Sequence, residues 1–240
     1  MLANMERLAS WLKHAACMAA LALACIAPAY ADDLDDFNRA VEAAMSHHRV
    51  AAGYLRTGNI ELVTLEIDGL REAWAKVSTL PRPAAFRDQE RYTGVILQVA
   101  AQLVGISLVL NLGRPDVARE SLDTIRKMVS NLRRENGVTV LADCVIDANV
   151  ALDALIATDR QPDWESAAAG GESYATTLRR CDGMAPRGIR DHAEFRRLID
   201  GALASLAQFP KAIETRDADL LHRLMIELRS FDNLLAFRYG

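Results

Sequence analysis

Cysteine is sparse, at four in 240 residues, and two of the four, Cys17 and Cys25, fall within the first 31. The C-x-x-C spacing of a redox-active pair is absent, and so is the C-x-x-C-H of covalent c-type haem attachment. No sign of charge dominates: 28 lysines and arginines face 32 acids, for a formal net charge of -4. The paired arginines Arg133-Arg134, Arg179-Arg180 and Arg196-Arg197 are scattered among acids. A nucleic-acid binder needs a continuous basic face to neutralise phosphates, so that class is excluded. Signatures of catalysis are missing as well. There is no G-x-S-x-G, no H-E-x-x-H and no glycine-rich phosphate loop. Asp191, His192 and Glu194 gather at a helix start, where acids serve capping and the helix dipole. Strand-like alternation is also absent, which leaves an all-α chain.

What is present begins with an export signal. Arg7 and Lys13 precede an apolar run from Ala15 to Ala27, and Ala29-Tyr30-Ala31 offers small residues where a signal peptidase reads. Residues 1–31 are therefore expected to leave, cut before Asp32, and to take Cys17 and Cys25 with them. Cys25 raises the alternative of a lipid anchor, against which stands Ala22 in place of the usual leucine three residues earlier. The apolar run is shorter than the roughly 20 residues of a spanning helix. No later stretch is read as long and uncharged enough to cross a bilayer. Losing Glu6, Arg7 and Lys13 takes the formal charge from -4 to -5. The expectation is a mildly acidic periplasmic domain over residues 32–240, large enough to bury a core of its own.

That domain repeats itself. Leu34, Phe37, Val41, Ala44, His48, Ala51 and Leu55 recur at steps of three and four, one apolar stripe on a helix. Thr57-Gly58 stops it, Asn59 suits an N-cap, and Ile60, Val63, Ile67, Leu70, Trp74 and Val77 form a second stripe. A gapless shift of 158 residues carries Phe37 onto Phe195, Val41 onto Ile199, Ala44 onto Ala202, Asn59 onto Asp217 and Leu70-Arg71 onto Leu228-Arg229. A shift of 55 carries Gly58 onto Gly113, with Pro115 at a first helical position. Gln161-Pro162-Asp163 marks one more turn. Four antiparallel helical hairpins are predicted, approximately 34–78, 86–134, 138–182 and 190–239. They form about eight helices, arranged as a helical-repeat array or as two packed four-helix bundles.

Within this frame Cys144 and Cys181 flank the third turn almost symmetrically, so an antiparallel hairpin brings the two thiols together and predicts a structural disulfide. The candidate metal ligands are Met45, His47, His48 and His222, because imidazole and thioether together suit copper. Met45 with His222 would also serve a non-covalent haem. Against both, the 158-residue shift sets Leu203 at Met45 and Leu206 at His48, and leucine marks a packing position. Asp143, Asp147 and Asp153 read as a solvated face, Arg71, Arg126 and Arg229 as cations favoured late in a helix, and Phe231, Phe237 and Tyr239 as a terminus docked into the core. The function expected is protein or ligand binding without catalysis or cofactor, with a periplasmic protein as the expected partner and with copper or non-covalent haem binding through Met45, His47, His48 and His222 as the alternative.

Overall fold

The computed structural model describes residues 33–157 and 163–240. The expected leader, with Cys17, Cys25 and the cut before Asp32, lies outside the described residues, as does Gln161-Pro162 of the third turn. Every regular element among the described residues is a helix, and none is a strand. By their contacts the described residues divide into two units, the first made of 33–47 with Thr64–Asn136, the second of His48–Val63 with the described residues from Gly137 to Gly240.

The first helix, α1, covers residues 33–57, and α2 is Ile60–Thr79. Between them Gly58 takes φ +75°, which a residue without Cβ adopts freely. Asn59 caps α2 by accepting from the Leu62 amide at 3.2 Å. In the first unit α3, Gln89–Asn111, and α4, Pro115–Glu135, form the next hairpin. The ring of helices then closes on itself. Phe37 of α1 packs edge-on against Phe86 and near Tyr92 of α3, Trp74 of α2 donates its indole N–H to the Ile96 carbonyl at 3.1 Å, and Arg133 of α4 donates to Asn38 of α1 at 3.1 Å.

The second unit repeats that closure with α5, Leu141–Ile156, α6, Trp164–Met184, α8, Ala193–Leu206, and α10, Ala218–Tyr239. Each packs on the next and α10 returns to α5. Short helices α7, Arg187–Arg190, and α9, Phe209–Thr215, fill the connections. Cys144 and Cys181 are joined by a disulfide between α5 and α6, with Cα atoms 5.4 Å apart and both residues fully buried. The carboxyl end packs into this unit: Tyr239 meets Phe195 edge-on at 5.1 Å, and Phe231 lies against Gly201.

The two copies related by 158 residues match in burial almost position by position. Phe37 and Phe195, Val41 and Ile199, Ala44 and Ala202, His48 and Leu206, Ile67 and Met225, and Leu70 and Leu228 are all buried. Their turns match too, for Arg216 occupies the left-handed conformation at φ 50° where Gly58 stands in the first copy, and Asp217 caps α10 through the Leu220 amide as Asn59 caps α2. One difference is the break between α8 and α9, where α1 runs unbroken. Pro210 has no N–H to continue the ladder and its ring would strike the carbonyl four residues back.

The structure has no clear transmembrane segment among the described residues, although one helix passes on length and composition alone. From Tyr92 to Gly113 there is no charged residue, and α3 is long and apolar enough by length and composition to cross a bilayer, with 33% of its apolar window buried in the protein. Seven of its residues, among them Tyr92, Val99, Leu103 and Ile106, face the core. The other side is apolar as well, so periodicity alone does not distinguish its inner face.

Candidate functional site

The predicted metal residues are placed as follows. Met45 and His48 are buried, at 6% and 3% exposure, like the core positions that Leu203 and Leu206 fill or border in the second copy. His47, on the neighbouring face of α1, holds Glu66 of α2 through its Nδ1 at 2.7 Å. Its ring lies over Gly69, where an added Cβ would sit 2.7 Å from Cε1. His222 is exposed on α10. Among the described residues no three or more His, Cys, Asp or Glu side chains are arranged to hold a metal ion.

The contact between His47 and Gly69 has a counterpart with different chemistry. The same two positions in the second copy are Ser205 and Glu227, and there the serine hydroxyl donates to the carboxylate at 2.9 Å. Sizes exchange one turn earlier on each first helix. Where the first copy has Ala43 and Ala73, the second has Gly201 and Phe231, and a Cβ on Gly201 would lie 2.6 Å from the phenyl ring.

The three aspartates read as a solvated face are all engaged. Asp143 is buried and accepts from the Val140 amide at 3.3 Å. Asp147 pairs with Arg180 at 2.8 Å, and Asp153 pairs with Arg229. Arg71 and Arg126 make local pairs, with Asp68 and Asp123 one turn before them. Arg229 differs, because it also approaches Asp232 at 3.6 Å.

Asp232 is the residue that sequence reading missed. It stands at the position of Trp74 in the first copy and is 1% exposed. Asn149 of α5 donates to it at 2.6 Å and the Tyr174 hydroxyl of α6 donates at 3.3 Å, so one carboxyl group ties three helices together. Burial pushes its pKa above the ordinary 3.8, opposed by the hydrogen bonds from Asn149 and Tyr174 and by the charge of Arg229. Burial, with the adjacent Asp232 carboxyl, also pushes the Tyr174 hydroxyl upward. The signal was available: an acid in an apolar stripe position must have partners. A raised acid pKa contributes stability that is fully present below the unfolded value and is lost as pH rises through the folded one. Urea unfolding at about pH 4 and about pH 7 should therefore show wild type losing stability, relative to Asp232→Asn, as pH rises. A difference of opposite slope would mean that the native state lowers this group's pKa instead.

Two surfaces remain as binding candidates. A groove of about 450 Å³ lies between α6 and the α8–α9 corner, floored by Gly171, Ala175, Leu206 and Phe209 and rimmed by Glu172, Arg179 and Glu214. Gly171 is needed there, since its Cβ would come within 2.9 Å of Phe209. Arg179 lies 3.5 Å from Glu172, so the rim is an ion pair with one further acid, without a nucleophile or an imidazole base. The other surface is the outer face of α3. Leu97, Val104, Leu108 and Leu112 are 60–68% exposed at steps of seven, four and four. Ala101 and Gly105 lie exposed between them. No family model, curated protein or solved structure matches this chain.

Proposed function

We propose that this chain is exported to the bacterial periplasm and acts there by binding another protein, without catalysis, through the outer face of α3. The single observation that carries the reading is the uncharged stripe from Leu97 to Leu112, whose large side chains are mostly in contact with solvent. Exposed apolar surface is unfavourable unless it is covered at some stage, and a contiguous patch of this kind marks an interaction surface. The buried disulfide suits an oxidising compartment. The groove beside α6 offers apolar contact and an ion-paired rim, which supports recognition and supplies no reactive group.

Two measurements test this. Expressed at full length in a bacterial host, the protein should be recovered from the periplasm with Asp32 as its first residue; recovery from the cytoplasm with residues 1–31 attached would defeat the export reading. Immobilised wild type should also retain a protein from periplasmic extract that Val104→Glu does not. Val104 is 61% exposed, so the variant should keep the wild-type melting temperature. Equal retention by the two proteins would remove α3 from the binding surface.

A further inference from the structure

We infer that the partner seated on α3 is a second copy of the same chain, paired antiparallel about a twofold axis between Ala101 and Val104. The inference rests on the reading of α3 as a binding face and names its occupant. Its first support is the order of side chains. Reversing the helix about that axis sets Leu97 against Leu108 of the other copy and Ala101 against Val104, so two leucines pair and a small residue faces a medium one, while Leu112 at the end of the strip falls opposite Thr93. A twofold interface requires this kind of self-matching, in which one patch serves on both sides.

Charge supplies the second support and decides the direction. Glu90 lies exposed at the amino-terminal end of the stripe and Arg114 just beyond its carboxyl-terminal end, where its guanidinium already lies 3.3 Å from the exposed Asp116 carboxylate of the same chain. Antiparallel pairing brings Glu90 of each copy near Arg114 of the other, whereas parallel pairing would set glutamate beside glutamate and arginine beside arginine. Arg91, which antiparallel pairing also turns toward Arg114, is already engaged by both carboxylate oxygens of Glu135, at 2.9 and 2.8 Å. Antiparallel helices also set opposite dipole ends together.

Area sets the strength. A helix of 23 residues is about 35 Å long and presents a strip roughly 10 Å wide. Two such strips bury roughly 700 Å² in total, below the roughly 1,200 Å² at which stable specific interfaces begin, so the pair is a weak and transient one with a dissociation constant no tighter than the micromolar range.

Sedimentation equilibrium of the whole exported protein provides the test. Wild type should pass from monomer to dimer across the micromolar range, while Val104→Glu should weaken the dimer by at least about tenfold with its melting temperature unchanged. Glu90→Arg and Arg114→Glu should each weaken it, and the double exchange should restore it, which a parallel pair would not do. A wild type that stays monomeric at the highest concentration, or a dimer indifferent to Val104→Glu, would overturn the inference. If the monomeric wild type still retains a periplasmic protein that Val104→Glu loses, the second copy is wrong and the binding face stands. If neither association nor retention responds to Val104→Glu, both readings fall.

Discussion

Replacing Cys144 and Cys181 together by serine is expected to lower the unfolding free energy by at least about 4 kcal/mol. The two residues are 37 apart in sequence, and joining them removes from the denatured chain the entropy of a loop of that length. The Cα separation of 5.4 Å is ordinary for the bond. Both sulfur-bearing residues are fully buried between α5 and α6, so serine would additionally place two hydroxyls in an apolar setting. Urea titration of wild type, of wild type with reductant and of the double variant would separate these contributions. Reduction alone reports the loop, and the further loss in the variant reports the hydroxyls. A loss below about 1 kcal/mol on reduction would mean that the denatured chain is already compact around this hairpin.

Trp74→Ala should cost the first unit a similar amount, about 3–5 kcal/mol, the usual range for removing a large aromatic from a packed interior. Trp74 is 2% exposed and its indole N–H is committed to the Ile96 carbonyl. The alanine therefore leaves both a void and an acceptor without its donor. Trp74→Phe isolates the second part, because most of the volume remains; a loss of about 1–2 kcal/mol is expected there. Denaturant midpoints measured by far-ultraviolet circular dichroism, which does not depend on the removed fluorophore, would check both values. An alanine variant within about 1 kcal/mol of wild type would mean that the site collapses around the truncation.

Much of the fold was written locally. The stripes of α1 and α2, the cap at Asn59 and the glycine at residue 58 are features of short windows, and each appears where the spacing placed it. The disulfide followed from symmetry about a turn, which is a property of hairpins in general. The candidate surfaces were harder because they depend on neighbours. Helix α3 is apolar on all sides, so which side meets the core is decided by Trp74, Phe37 and α4, far away in sequence. Asp232 aligns with Trp74 in the 158-residue shift, a mismatch that the sequence reading passed over, and its partners Asn149 and Tyr174 come from α5 and α6, which no spacing rule connects to it. Arg216 hid for another reason. Its left-handed backbone is rare for a residue with a Cβ, costing about 1–2 kcal/mol, and only the match with Gly58 points to it.

The opposed sizes at Ala43 and Ala73 against Gly201 and Phe231 have a consequence for how this sequence can change. Each hairpin has settled on its own lock between facing helices, as Trp74 and Asp232 did in choosing an indole or a hydrogen-bonded carboxyl for one and the same slot. Grafting residues 191–237 into the place of 33–79 would carry an acid away from its amide and hydroxyl and offer it the backbone carbonyl that had received an N–H. The two halves share an outline, yet they have ceased to be spare parts for one another.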